Sequence, residues 1–357
     1  MSTVAAIRVN PDNVLDGISR GMHLVEYQKN LDRKNTTILK TNISWQHFFP
    51  ACSTTPWQFD GVISELKSAN YTNLLPAYNG TVVVNPIDGA KNNKHTAVEK
   101  KHGLKSVFLD FPPTKWVKYT PKSKLLVLDK IFPEGIRIPE IFIGSNIIHL
   151  PTAKTHVFTT MTGAMKNAFG GLLNRKRHWT HSVIHETLVD LLKIQKEIHP
   201  EILAVTDATF TGDGPGPRAM QWHIKNLILV SKDQVAIDAV CAHLMGFDPL
   251  NIKFIKLAHD EGLGCGDIKK IKIVGDNINN EKWNFNSGMD TLASKGQKMI
   301  YWGPLKKLEK ILLQSPIVPW SFWASNLYYN TYWMQFIGKK RVNLAMKTEW
   351  GKLFKQY

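Results

Sequence analysis

The stretch that decides the fold runs from residue 201 to residue 246 and contains EILAVTDATF (201–210), NLILVS (226–231) and QVAIDAVCAHLMG (234–246). The first two segments are apolar and rich in β-branched residues, which is typical of buried strands. The third has the spacing of a buried helix, and Asp233 stands where an N-cap is expected. This succession of strands and a helix indicates an α/β protein.

The first half of the chain shows the same alternation. TTILKTNI (36–43), TVVVNP (81–86) and KLLVLD (124–129) predict strands, whereas FDGVISELKSANY (59–71) and HTAVEKKHGLK (95–105) predict helices. We therefore predict a mostly parallel sheet flanked by helices, in one lobe or two. Sheets of this kind bind ligands at the carboxyl ends of their strands, so we expect a site in the loops there.

Composition narrows the class of protein. The 357 residues include only three cysteines, which form no CxxC pair, so we expect no iron-sulfur cluster within this chain and a reducing, cytoplasmic location. The 45 Lys and Arg exceed the 29 Asp and Glu, which gives a net charge of +16. That charge favours an anionic ligand or an acidic membrane surface, or it reflects solvated lysines on helices. The basic residues are dispersed and match no recognised motif, so we do not expect nucleic-acid binding.

The character of the chain changes after an α/β core that we assign to residues 1–290. The remainder, 291–357, is an aromatic and basic C-terminal extension that has no charged side chain between Ile311 and Gly338. Aromatic residues followed by cations suit a membrane interface, which would make the protein peripheral to the membrane. The alternative is an apolar strap that packs across the core or on a dimer partner. Either contact would use residues 311–341.

The densest group of chemically useful residues lies in LPTAKTHVFTTMTGAMKNAFGG (150–171). Lys154 and His156 follow a predicted strand, and Lys166 and Asn167 lie among small residues and glycines that let a ligand approach the backbone. Burial lowers the pKa of a lysine, which suits it to act as a base, a Schiff-base nucleophile or an anchor for a carboxylate. The alternative is a lysine that extends to solvent.

Three histidines, His178, His181 and His185, share one face if the chain is helical there. Imidazoles on one face can bind a transition metal, so a divalent metal stays open as a cofactor, although Glu186 is the one carboxylate beside them. Structural histidines are the alternative.

A glycine-rich loop, TDATFTGDGPGPR (206–218), is predicted to follow the strand ILAV. Asp207 would end that strand and Asp213 would lie in the loop, where the pair could act as a general base or a cation site. The glycines alone are explained by tight turns.

The remaining candidates are ligand-binding groups. Lys40 and Asn42 end another predicted strand and could present a cation and an amide to the same cleft, or Lys40 could be a solvated edge residue. Arg177, His178 and Arg218 complete the set of substrate-binding candidates.

With these residues assembled, the chain resembles the domain of unknown function 362 family over about residues 35–275. The likeness is carried by several motifs in the right order: ILKTNI (38–43), LPTAKTH (150–156), TGAMKNAFGG (162–171) with His178 downstream, TDATFTGDGPGP (206–217), LVSKDQVAIDAVCAHLMGFDP (229–249) and HDEGLGCGD (259–267). The resemblance implies an α/β core with a shared pocket and names no reaction. The chain departs from the family in two ways: Thr41 replaces the expected proline, and the cysteine-rich ferredoxin module of some members is absent.

Our leading hypothesis is an enzyme that acts on a small anionic metabolite by isomerase-, lyase- or racemase-like proton transfer. Lys154, Lys166 and Lys40 would hold a carboxylate or phosphate, while His156 and Asp207 would move protons. The alternatives are a metal-binding redox protein and a non-enzymatic protein whose aromatic tail docks on a membrane or a partner.

Overall fold

The structure, a computed structural model, describes residues 1–81, 83–314 and 326–357. The strands are β1 Thr3–Arg8, β2 Thr37–Thr41, β3 Leu74–Tyr78, β4 Val107–Phe108, β5 Trp116–Tyr119, β6 Ile136–Pro139, β7 Asn146–Leu150, β8 Thr152–His156, β9 Thr160–Thr162, β10 Ile202–Asp213, β11 Gln221–Ser231 and β12 Lys272–Gly275.

The described helices lie between and after these strands. They are α1 Val14–Leu24, α2 Pro56–Ser68, α3 Pro86–Asn92, α4 His95–His102, α5 Leu128–Ile131, α6 Ala164–Asn167, α7 Phe169–Leu172, α8 Ile184–Ile198, α9 Gln234–Met245, α10 Lys253–Asp260, α11 Leu292–Tyr301, α12 Glu309–Gln314, α13 Lys339–Ala345 and α14 Glu349–Gln356. A 3₁₀ helix spans Arg175–Val183, and a π-helix spans Leu327–Gly338.

Strands from both halves of the chain form one sheet in the order β12-β1-β11-β10-β7-β2-β3-β4. The pairs β10-β7, β7-β2, β2-β3 and β3-β4 are parallel, whereas β11 runs antiparallel to both of its neighbours. Strand β8 continues from β7 and pairs with β10 and β9. The predicted α/β fold with a mostly parallel sheet is therefore confirmed.

Apolar residues cover both faces of the sheet. Helices α8, α9 and α10 contribute to one buried cluster, and α1 and α2 contribute to the other. The predicted N-cap of α9 is confirmed, because the Asp233 carboxylate accepts the backbone N–H groups of Val235 and Ala236 at 2.8 and 3.0 Å. This cap fixes where the helix begins on the sheet.

The described end of the extension packs on the same face as α1 and α2. The ring of Trp350 in α14 lies 5.0 Å from the ring of Trp57, and the Phe354 and Phe48 rings lie 4.0 Å apart. The described end of the extension therefore packs on the core, while residues 315–325 lie outside the described residues. The membrane or partner contact through residues 311–341 stays a prediction. The domain boundary at residue 290 stays a prediction. In the described part of the chain, no helix is long and apolar enough to cross a membrane.

The predicted strand KLLVLD (124–129) is wrong. The backbone N–H groups of Leu126, Val127 and Leu128 donate to the carboxylate of Asp190 instead of to a neighbouring strand. The segment is irregular until α5 begins at Leu128.

The strand predicted in TVVVNP (81–86) is wrong as well, and Val82 lies outside the described residues. Thr81 and Val84 pair with each other in a tight turn, and the Asn85 side chain caps α3. The nearby strand is β3. The sequence analysis did not predict it, because a proline such as Pro76 is unusual within a strand. Proline is tolerated there because β4 joins β3 only from Ala77 onward.

Candidate functional site

A cavity of about 280 Å³ opens at the carboxyl ends of the parallel strands β2, β3 and β7. Asn42 follows β2, Asn79 follows β3 and Pro151 follows β7, and all three line the cavity. This is where an open parallel sheet is expected to bind its ligand, because the loops that leave adjacent strands separate there.

Strand β8 contributes the first functional side chains. Thr152, Lys154 and His156 alternate along the strand, so all three point to one face, and all three line the cavity. Lys154 is only 1% exposed, and its Nζ donates to the Cys52 carbonyl and to Thr152 Oγ1, both at 2.7 Å. Burial lowers the pKa of Lys154 to about 8, so the ammonium loses its proton more readily than an exposed lysine.

His156 is neutral. Burial, followed by the nearby charges of Lys166 and Lys154, lowers the pKa of its imidazole well below the usual range. Its Nδ1 accepts the Phe158 backbone N–H at 3.1 Å, which leaves the ring proton on Nε2. The residue can therefore donate a hydrogen bond without carrying a positive charge.

The turn that carries Lys166 is held by a buried carboxylate from α9. The Asp238 carboxylate accepts the backbone N–H groups of Ala164 at 2.6 Å and Met165 at 3.0 Å. A Cβ at Gly163 would lie 2.2 Å from Asp238 Oδ1, so only glycine fits before this turn. Burial raises the pKa of Asp238 to about 7. These contacts fix the backbone of Ala164 and Met165, the two residues that precede Lys166.

Lys166 reaches the cavity over the ring of Phe169, with Nζ 5.4 Å from the ring centre. Burial lowers the pKa of Lys166 to about 7, and the positive charges of Lys154 and Arg177 lower it further in the same direction. A lysine with this pKa is a mixture of ammonium and free amine near neutral pH. The free amine can take up a proton or attack a carbonyl group.

Lys40 lies behind the cavity wall and does not line the cavity. Its Nζ donates to the Thr41 carbonyl at 2.6 Å and to Asn79 Oδ1 at 2.8 Å, and its own carbonyl accepts Asn167 Nδ2 at 2.9 Å. Burial lowers the pKa of Lys40 to about 7. Both amides line the cavity, so Lys40 orients two wall residues. It is not the solvated edge residue of the alternative interpretation.

The 3₁₀ helix Arg175–Val183 brings Arg177, His178 and His181 to the cavity. Arg177 is buried, and its Nη2 donates to the Gly80 carbonyl. His181 donates from Nδ1 to the His178 carbonyl at 3.0 Å, and burial lowers its pKa to about 3. The neutral ring of His181 therefore keeps a free lone pair on Nε2.

The prediction that His178, His181 and His185 share one face is wrong for His185, which does not line the cavity. A 3₁₀ helix aligns residues three apart, so His178 and His181 meet at the cavity, whereas His185 lies in α8 and stacks on Phe254. Within residues 1–81, 83–314 and 326–357, no group of three or more His, Cys, Asp and Glu side chains could hold a metal ion.

The hairpin between β10 and β11 closes another side of the cavity. Arg218 lines it, and its Nε donates to the Ser44 carbonyl at 3.1 Å. A Cβ at Gly216 would lie 1.9 Å from the Thr155 carbonyl oxygen, so the hairpin approaches β8 as closely as glycine allows. Asn42 lines the cavity beside this hairpin, and its Nδ2 donates to the Cys52 carbonyl at 3.1 Å.

Asp207 and Asp213 do not line the cavity, and the predicted loop between them is wrong. The strand β10 continues through both residues, because its ladder with β11 runs to the pair Asp213–Gln221. Asp207 is buried, and its carboxylate accepts from Thr55 Oγ1 and from Trp57 Nε1. Its partners lie at the start of α2, so this carboxylate anchors a helix.

The Asp213 carboxylate lies at the surface end of β10. It accepts the backbone N–H of Asn286 at 2.7 Å, and His223 Nε2 lies 3.8 Å from it. These contacts join the hairpin to the chain before α11.

The structure adds cavity residues that the sequence analysis missed. Asn79 followed the undetected strand β3, and Arg175 lies one turn before the predicted candidates. The C-terminal extension adds Ser294, Gln297 and Tyr301 from α11 and Tyr329 from the π-helix. An amide directly after an apolar strand, as at Asn42, was the signal that could have found Asn79. The extension residues carry no such signal.

The charged side chains of the cavity wall that the structure describes are all positive. Five cationic side chains line it, from Lys154, Lys166, Arg175, Arg177 and Arg218, and no Asp or Glu of the described residues does. Asp110 does not line the cavity, but its Oδ1 lies 3.5 Å from Nε of Arg175, one of these five cations. A wall of this kind attracts anions.

Fold and site together define an α/β protein with a cationic pocket at the carboxyl ends of its parallel strands. A family model described as "Domain of unknown function (DUF362)" matches residues 37–243, and the chain belongs to that family. The family resemblance of the sequence is thereby confirmed.

One curated relative is a thylakoid-associated protein of Synechocystis sp., to which the chain is 30% identical over 122 residues. The aligned part is 33% of this chain and 37% of that relative, so the chain spans well under half the length of the curated relative it matches. Comparison with solved structures gave no significant match.

Proposed function

We propose that this protein is an enzyme that binds a small anionic metabolite and moves a proton on it, in an isomerase-, lyase- or racemase-like reaction. The observation that carries the proposal is the pocket wall of five cationic side chains without a lining carboxylate among the described residues. Like charges around one cavity repel one another, as the effect of Lys154 and Arg177 on the pKa of Lys166 indicates, and a bound carboxylate or phosphate relieves that repulsion. The free energy of the repulsion thus favours ligand binding.

Within this proposal the fixed cations hold the anion and Lys166 moves the proton. Lys154, Arg177 and Arg218 are oriented by hydrogen bonds to backbone carbonyls, which leaves their positions set before the ligand arrives. The free amine of Lys166 takes a proton from the carbon next to the bound carboxylate, and the resulting ammonium returns it. His156 donates from Nε2 to the oxygen on which negative charge collects. Asp207 has no part in this scheme, because it lies outside the pocket.

The location of the protein is also a proposal. The name of the relative from Synechocystis associates that protein with the thylakoid and gives no reaction. We place this chain in the cytoplasm, since its three cysteines are free thiols, which suits a reducing compartment.

Calorimetric titration of the full chain with inorganic phosphate tests the binding half of the proposal. Lys154→Met and Arg218→Gln should each weaken phosphate binding by roughly tenfold, because a charge-assisted contact is lost. Lys105→Met is the matched control, since Lys105 is exposed and lies outside the pocket. Equal affinity of the control and the pocket variants would overturn anion binding at this site.

Proton transfer is tested separately, by ¹H NMR in D₂O with a panel of 2-oxo acids, 2-hydroxy acids and amino acids. The proposal expects the protein to exchange the hydrogen next to the carboxylate of at least one compound, and Lys166→Met to abolish that exchange. Exchange that persists in Lys166→Met would reject Lys166 as the base. Phosphate binding without exchange of any compound would reject the proton-transfer step and leave anion binding.

A further inference from the structure

The described part of the C-terminal extension presents an exposed face, and no other element within residues 1–81, 83–314 and 326–357 covers it. We call it the outer face and define it by Leu327, Tyr332, Phe336, Lys339, Lys340 and Leu344. Tyr332 is 55% exposed and Phe336 is 64% exposed, whereas Trp333 and Met334 between them are buried. Large aromatic side chains at this exposure in a contiguous row are typical of a binding surface.

The aromatic row is assembled before any partner arrives. The rings of Tyr328 and Tyr332 lie 6.0 Å apart, and those of Tyr332 and Phe336 lie 5.4 Å apart. These residues are four apart in the π-helix Leu327–Gly338, so their side chains form one column along it. Docking on this column needs no ordering of its aromatic side chains.

The segment behind the outer face is tied firmly to the core. Arg341 Nη1 donates to the Met220 carbonyl at 2.6 Å, and the Arg341 carbonyl accepts Trp222 Nε1 at 2.9 Å. Trp45 Nε1 donates to Asn330 Oδ1 at 2.6 Å. Arg341 and Asn330 hold this segment on the core. The side chains of the outer face take no part in these contacts and can meet a partner.

The charge of the outer face is entirely positive. Lys339 and Lys340 are exposed, and Lys347 follows on the solvent side of the next turn. The sequence has no Asp or Glu between Lys310 and Thr348, so no carboxylate of this segment offsets these ammonium groups. Aromatic rings beside lysines fit a bilayer interface, where the rings lie at headgroup depth and the ammonium groups meet lipid phosphates.

From this combination we infer that the outer face docks the protein on an anionic phospholipid bilayer. A second copy of the chain fits less well, because a two-fold interface pairs this face with itself. The face then offers no carboxylate to pair with Lys339 and Lys340. The inference does not depend on the proposed function. It does place the pocket near the bilayer, since Tyr329 of the same π-helix lines the pocket.

The test is flotation of the full chain with vesicles of phosphatidylcholine, with and without phosphatidylglycerol, at low and high salt. We expect binding only to the vesicles that contain phosphatidylglycerol, and weaker binding at high salt. The double substitution Tyr332→Ser with Phe336→Ser and the double substitution Lys339→Glu with Lys340→Glu should each reduce the bound fraction by roughly tenfold or more. Both change exposed side chains only, so the melting temperature should stay the same.

Matched controls lie on other surfaces. Ile87→Ser with Ile143→Ser removes two exposed apolar side chains, and Lys105→Glu with Lys115→Glu makes the same change of net charge. These controls should bind vesicles like the unchanged protein. Equal binding by all variants, no binding to phosphatidylglycerol vesicles, or equal binding to both lipid mixtures would overturn the inference. So would a dimer in solution that the Tyr332 and Phe336 substitutions convert to a monomer, because the face would then be a contact between copies.

Discussion

The guanidinium carbon of Arg218 lies 5.2 Å from the centre of the Tyr329 ring. Arg218 belongs to the region that matches the family, 37–243, whereas Tyr329 belongs to the C-terminal extension. Both residues line the pocket, and the Tyr329 hydroxyl lies 3.1 Å from Thr291 Oγ1. The extension therefore completes a pocket whose cations come from the family core.

Replacing this ring tests whether it holds Arg218 in place. Tyr329→Leu should weaken phosphate binding about two- to thirtyfold, because a cation–π contact contributes about 0.5–2 kcal/mol. Tyr329→Phe is the control, since it keeps the ring and removes only the hydroxyl. Calorimetry with phosphate measures both variants, and a loss of the same size in Tyr329→Phe would assign the effect to the hydroxyl instead.

The affinity for an anion should fall as pH rises. The pKa of Lys166 is about 7 and that of Lys154 is about 8, so both lysines are cationic below about pH 6 and neutral above about pH 9. Sulfate is the suitable anion, since its own charge is constant over this range. We expect sulfate affinity to drop by roughly tenfold or more across it, measured by calorimetry. A flat profile would contradict the role of these lysines in binding.

Lys166→Met should stabilise the protein at low pH. The pKa of Lys166 is lowered from 10.5 to about 7 on folding, so the unfolded chain binds its proton more tightly than the native state. The resulting penalty is complete below about pH 7 and disappears as pH rises toward 10.5. The variant lacks this penalty, and we expect it to gain about 1–3 kcal/mol in free energy of unfolding near pH 6.

Denaturant titrations near pH 6 and pH 9 check this difference. The gain should shrink at the higher pH, since part of the penalty is already gone there. Lys105→Met, on the surface, should show no gain at either pH. A destabilised Lys166→Met protein at low pH would mean that the Lys166 side chain contributes more through its packing than its charge costs.

Asp238→Asn should disturb the turn that carries Lys166. The carboxylate accepts two backbone N–H groups, and an amide would turn its own NH₂ toward one of them. We expect a loss of about 1–3 kcal/mol in free energy of unfolding. If Asp238 positions Lys166, the pH profile of sulfate binding also shifts. Asp260→Asn, an exposed aspartate on α10, is the control, and equal behaviour of the two variants would contradict the role of Asp238.

Trp350→Ala should destabilise the protein strongly. Trp350 is buried against Trp57, and its Nε1 donates to Asn226 Oδ1 at 2.7 Å. Removal of such a side chain costs about 3–5 kcal/mol in free energy of unfolding. Denaturant titration measures it, with the exposed Tyr332→Ala as a control that should lie within about 0.5 kcal/mol of the unchanged protein. A small effect of Trp350→Ala would show that α14 is not part of the core.

Part of the site was predictable because parallel strands end at a common edge. Lys154 and His156 followed a strand and Lys166 and Asn167 lay among glycines, and the structure brings these four residues to one cavity. The same reasoning gave a wrong prediction for Asp207, which does not line the cavity. Its Thr-rich strand continues as far as Asp213, and the glycines that suggested a loop belong partly to the strand.

The sequence by itself determined the α/β class, the family and the cation-rich segments, because apolar periodicity and residue type act locally along the chain. Only the tertiary structure decided that Lys40 lies behind the wall, that Asp207 anchors α2 and that Tyr301 and Tyr329 line the pocket. Those outcomes depend on contacts between residues far apart in sequence. Burial of the lysines, which sets their pKa values, likewise exists only once the elements have packed together.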